Sequence, residues 1–223
     1  MRHGVGRHAV VLGVAVLVTA GFWASRMDWD PEMRLWRAVG DTSLVLMLHA
    51  LMVGPMARVW PASRGFRPWR REAGFWSAIL ALIHTLLLFD GWFRWDLMRM
   101  LGFDFIPQLG RIARVEPGFG LSNLMGLIGL AWLLILAATS FDRAVKKLGG
   151  SGWKWLHTGA YAAFYLVVLH TAYFLFMHYK LSFHRPVPTN PNWFAEPFVV
   201  LALSVPLLQA WAYRKLVRKQ ANS

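Results

Sequence analysis

Two histidines stand where an apolar chain has least reason to keep them. His84 lies in the apolar run 73–92 and His170 in the run 155–178. An ionisable side chain in a bilayer-spanning helix is costly and usually faces a functional interior. Both helices would cross the bilayer in the same direction. His84 lies thirteen residues beyond Arg71, and His170 thirteen beyond His157, both markers of the same membrane edge. At ~1.5 Å of rise per residue, both imidazoles lie about 20 Å deep. Two imidazoles at one depth on two helices can clamp a flat metal cofactor. Imidazole suits iron, and haem takes axial ligands from both faces of its ring. The plainer reading is that each imidazole hydrogen-bonds a neighbouring helix, and the spacing alone leaves it open.

The other histidines have less to recommend them. His157 lies near the inner edge, level with Arg70 and Arg71. A second haem there would bring its propionates to those arginines. On an ideal helix, however, His157 and His170 point about 140° apart. Arg70 also stands where the third helix would need its own inner histidine, so the spacing does not support a second haem with two His ligands. His49 suits a haem ligand, a propionate partner or a quinone contact. His178 and His184 fall at or beyond the outer end of the fifth span, with no role assigned. His3 and His8 belong to the N-terminal flank and read as solvated.

Six apolar runs must position these residues: 9–24, 42–57, 73–92, 119–141, 155–178 and 197–213. A span needs about 20 mostly apolar residues, so the first, second and sixth rely on flanking Trp and Arg. The expected fold is all-α, an integral membrane six-helix bundle with both termini cytoplasmic. The orientation follows from charge. The inner segments hold 15 basic and two acidic residues, the outer side nine of each. Lys and Arg in short loops favour the cytoplasmic side, so the whole formal charge of +13 reads as an orientation signal. We expect 1–30 to form the first transmembrane helix and its flank. Residues 31–178 would form the helical core, and 179–223 an outer loop, the last helix and a basic tail. A basic start, an apolar stretch and Ala24–Ser25 also fit a cleaved signal peptide.

Composition narrows the chemistry. Of 223 residues, 57% are hydrophobic and 16% charged, against about 25% charged in a soluble domain. So apolar a chain leaves little surface for a nucleic-acid groove, and 13 Trp with 15 Phe exclude disorder. There is no Cys. That removes iron–sulfur clusters, thiolate zinc, cysteine nucleophiles and covalent haem attachment. No G-x-G-x-x-G segment opens a soluble domain. Electrons are therefore expected from a separate protein or a membrane quinol.

Ordered motifs join these residues. Gly54-Pro55-Met56-Ala57-Arg58 ends the second run. Arg70-Arg71-x-x-Gly74, Trp76 and His84 follow. Then come Thr139-Ser140, Lys147-Leu148-Gly149, Trp153-x-x-Leu156-His157-x-x-x-Tyr161 and His170. From about 42 to 173 the chain resembles the ferric reductase-like transmembrane family. Within that family it is similar to the haem-binding membrane subunits of periplasmic methionine sulfoxide reductase systems. The resemblance implies a b-type cytochrome of the bacterial inner (plasma) membrane, with one or two haem b groups. It matches His84, His157 and His170 to metal-ligand positions. We place Arg70 and Arg71 as cofactor-binding residues, with FMN or quinone as further candidates, and assign no catalytic residue. The implied donor is a membrane quinone or a cytoplasmic flavin reductase. The implied acceptor is a periplasmic molybdenum-cofactor reductase that repairs oxidised methionine. The loop 93–118 and the Pro-rich stretch 184–197 depart from the pattern, on the side where an acceptor would dock.

Two other classes compete. A proton-coupled transporter would use His49, His84 and His170 as a relay, yet it would also call for paired helix breaks, and only Pro55 and Pro206 are present. A structural or assembly subunit would use its histidines for packing, and would purify without haem.

Overall fold

The computed structural model describes residues 2–115, 117–178 and 192–221; His184 lies outside them. The long helices are α1 (Arg2–Ala24), α2 (Pro31–Val59), α3 (Arg70–Leu88), α5 (Pro117–Ala138), α6 (Asp142–Phe176) and α7 (Ala195–Ala221). Each is long and apolar enough to cross a membrane. A short α4 (Leu97–Met100) and an antiparallel hairpin of β1 (Phe103–Ile106) and β2 (Arg111–Arg114) fill the connection between α3 and α5. The chain is an all-α membrane bundle.

Helix α2 is the axis. It packs on α1, α3 and α7, while α5 and α6 pair with each other. The core gathers Leu44, Met47, Leu48 and Leu51 of α2 with Ala78, Leu133, Ala163 and Phe164. Small residues bring α2 and α3 close. Ser43 Oγ donates to the Ser77 carbonyl at 2.8 Å, and Ser77 Oγ to that of Ser43 at 2.9 Å. Such polar pairs satisfy each other where no water can.

Helix α2 begins eleven residues before the apolar run that announced it. Charged Arg34, Arg37 and Asp41 end the run in sequence but not in structure. Asp30 caps the helix by accepting from the amides of Glu32 and Met33, and Pro31 takes its first turn. Each charge then finds a partner. Arg34 donates to the Trp23 carbonyl at 3.2 Å, and Arg37 to that of Phe174 at 3.4 Å. Asp41 accepts from Arg26 Nη2 at 2.5 Å, both side chains buried. At the other end of the bundle Arg7 Nε donates to buried Glu72 at 2.9 Å, tying α1 to α3.

Helix α6 also exceeds its apolar run. It starts at Asp142, but Gly149 has φ +71°, a left-handed break between an edge segment and the spanning part. Glycine adopts that conformation without a Cβ penalty.

Candidate metal centre

His84 and His170 line one cavity. His84 comes from the last two turns of α3 and His170 from α6, so the depth match in sequence places them together in space. The walls are mainly apolar, with Leu44, Leu88, Leu130 and Phe174, and with Arg37, Asp41 and Asn123 as polar members.

The two imidazoles are held alike. His84 Nδ1 lies 2.7 Å from the Trp36 carbonyl. His170 Nδ1 lies 2.8 Å from the Ser122 carbonyl. A carbonyl only accepts, so each Nδ1 carries the proton and each Nε2 keeps its lone pair. This is how a second partner fixes the tautomer and orientation of a metal-ligating histidine. The rings seat against glycines. A Cβ on Gly40 would come within 2.9 Å of the His84 ring, and one on Gly126 within 2.8 Å of His170 Nδ1. Gly40 is four residues after Trp36, and Gly126 four after Ser122. In each case one helical turn supplies both the accepting carbonyl and the space for the ring.

The donor set selects the kind of metal group. Among the described residues no cluster of three or more His, Asp or Glu exists to hold a bare ion. Two imidazoles with available Nε2 atoms suit a metal that brings its remaining ligands with it, as iron does in a porphyrin. The residues present fit haem.

His157 lies elsewhere. It lines a second cavity with Arg67, Arg70, Arg71, Ser140 and Trp153. Its ring stacks on Trp153 at 4.0 Å, and its Nε2 is 3.3 Å from Thr139 Oγ1. Arg71 Nη1 donates to Asp142 at 3.1 Å. Met47 and Leu133 line both cavities and stand between them. His157 and His170 thus serve different spaces, in keeping with their angular separation on an ideal helix. His49, half-buried on α2, lines neither cavity. His178 is buried among Trp92, Phe119 and Phe174, with ring centres 5.2–5.5 Å away, and closes the aromatic end of the bundle.

Sequence reasoning passed over Trp36, Gly40, Ser122 and Gly126. The signal in sequence was partial: each partner helix carries a mid-helix glycine, Gly40 and Gly126, while the accepting carbonyls are backbone groups that every residue has.

Comparison with known proteins agrees with this architecture. The family model described as "Ferric reductase like transmembrane component" matches residues 38–168. Several relatives carry the name protein-methionine-sulfoxide reductase heme-binding subunit MsrQ, among them the following three. That of Polaromonas naphthalenivorans is 30% identical over 189 residues, covering 85% of this chain and 74% of its own length. That of Cronobacter sakazakii is 30% identical, covering 84% and 78%. That of Caulobacter vibrioides is 27% identical, covering 89% and 82%. Six apolar helices, a family match over more than half of the chain and relatives covered over most of their length lead to one statement: the chain belongs to the ferric reductase-like transmembrane family, alongside the MsrQ subunits, and is a multi-pass protein of the bacterial inner membrane.

Proposed function

We propose that this chain is a haem-binding redox subunit, in which His84 and His170 would hold the iron of one haem b. The observation that carries the reading is the matched pair of Nδ1–carbonyl bonds, which leaves one Nε2 lone pair on each ring. Haem, when bound, supplies a one-electron iron couple. The chain's own residues orient the two imidazoles, surround them with apolar side chains that keep water out, and set the local charge. We propose that both termini lie in the cytoplasm, because the segments at that end carry most of the basic residues.

The second cavity has a different character. Arg67, Arg70 and Arg71 favour an anionic group there, and His157 offers a further imidazole. A second haem with its propionates on the arginines, FMN, or a quinone would each use those residues. Electrons are proposed to enter on this side from a quinol or a cytoplasmic flavin reductase. They would leave for a periplasmic acceptor, which likeness to the MsrQ relatives suggests is a methionine sulfoxide reductase; we propose that it is a molybdenum-cofactor enzyme. The test is spectroscopic. Purified in detergent, the protein should give a b-type α band in a reduced-minus-oxidised spectrum, and His84→Ala or His170→Ala should abolish the low-spin signal. A colourless wild type would refute haem binding. A wild-type spectrum in both variants would refute this pair of ligands.

A further inference from the structure

Among the described residues, the connection between α3 and α5 is the longest between spanning helices, and most of its exposed side chains have no part in the redox reading. It leaves α3 through a π turn at Phe89–Phe93. Arg94 and Trp95 follow in left-handed conformation, with φ of 50° and 58°. It then runs through α4 and the hairpin.

The segment is sewn to a spanning helix. Asn123, buried within α5, donates its side-chain amide to the Met100 carbonyl at 2.8 Å. Gly120 packs directly on the backbone of Leu101. The Val115 amide donates to the Gly102 carbonyl at 2.8 Å, closing the base of the hairpin two residues after α4. Asn123 lies five residues inside the span that begins at Gly118, about 8 Å along the helix at 1.5 Å per residue. Met100 is therefore tied to a point within the apolar stretch of α5, which holds α4 close to that end of the span.

What it presents there is amphipathic. Phe105 pairs directly with Ile112 across the hairpin, so both side chains stand on one face. They are 57% and 62% exposed, while Ile106 on the opposite face is buried. Trp95 and Leu97, each 63% exposed, add to the apolar surface. Residues 94–114 also carry four arginines against two aspartates. Exposed Trp and Phe beside excess Arg, close to the end of a span, suit the acyl–headgroup region and its phosphates.

We infer that α4 and the β1–β2 hairpin form a lipid-seated platform. Phe105, Ile112, Trp95 and Leu97 enter the acyl boundary, and the arginines meet phospholipid phosphates. The occupant of this surface is phospholipid, not a protein partner. The inference is independent of haem binding.

The absence of native Cys makes the test direct. Ile112→Cys, and separately Leu97→Cys, would carry an environment-sensitive fluorophore on the full chain in phosphatidylethanolamine–phosphatidylglycerol vesicles. The expected result is several-fold stronger quenching by a lipid-borne nitroxide than by aqueous iodide at both positions. Stronger quenching by iodide at both positions would overturn the proposal. So would labels that are water-exposed in vesicles and become shielded only when a soluble partner is added. Two positions on different elements guard against one variant failing to fold.

Discussion

The imidazole of His170 lies so close to Gly126 that a Cβ there would come within 2.8 Å of its Nδ1. The carbonyl one turn earlier, that of Ser122, accepts the same Nδ1 proton. Gly40 and Trp36 repeat this arrangement for His84. Two helices with unrelated sequences thus present the same seat for a ring.

Filling either seat should displace its imidazole. Gly40→Ala and Gly126→Ala are each expected to destabilise by about 1–3 kcal/mol, as overpacking does, and to lower the haem-to-protein ratio of the purified protein. Gly21→Ala is the control, since a Cβ there meets nothing within 4 Å. Equal haem content in all three variants would show that the glycines are not seats.

The Arg26–Asp41 pair links the α1–α2 turn to the centre of α2 with both side chains buried. Breaking one side leaves a buried charge unpaired, at a cost of about 3–5 kcal/mol. Arg26→Ala should therefore lower the unfolding midpoint in detergent strongly. The Arg26→Leu/Asp41→Leu double variant should lie much nearer wild type. If the double variant is as unstable as the sum of the singles, the charges are not coupled.

His157 stands in a cavity separated from that of His84 and His170 by Met47 and Leu133. His157→Ala is expected to keep the low-spin haem signal of that pair and to alter only what binds beside Arg67, Arg70 and Arg71. Loss of the whole low-spin spectrum in this variant would show that the two cavities act as one site.

Gly149 breaks α6 at φ +71°. Gly149→Ala forces a side chain into that conformation (ψ 159°), at about 1–3 kcal/mol, and the thermal midpoint should fall. Gly150→Ala meets nothing within 4 Å and lies outside the break, so it should be neutral or stabilising. The reverse order would place the kink elsewhere.

Much of this was legible in residue types and spacing. Six apolar runs gave six spanning helices, because lipid demands that backbone polar groups be satisfied within each helix. The equal depth of His84 and His170 followed from counting along two parallel helices, and the structure puts them on one cavity. The start of α2 was hidden, since Arg34, Arg37 and Asp41 end an apolar window. Their partners are Trp23, Phe174 and Arg26, which no local window contains. The hairpin was equally hidden. Its strands are four residues each, too short for a periodic signal.

The sequence by itself determined the number of spans, the charge asymmetry from which their orientation is proposed, and the level of each imidazole along its helix. These are properties of one chain segment at a time. Tertiary structure decided the azimuth: which rings face a common space, which carbonyl takes each Nδ1 proton, and that His157 turns to a separate cavity. Those depend on how α2 packs against α3 and how α5 packs against α6, and a glycine's missing Cβ has meaning only once a neighbouring ring fills its place.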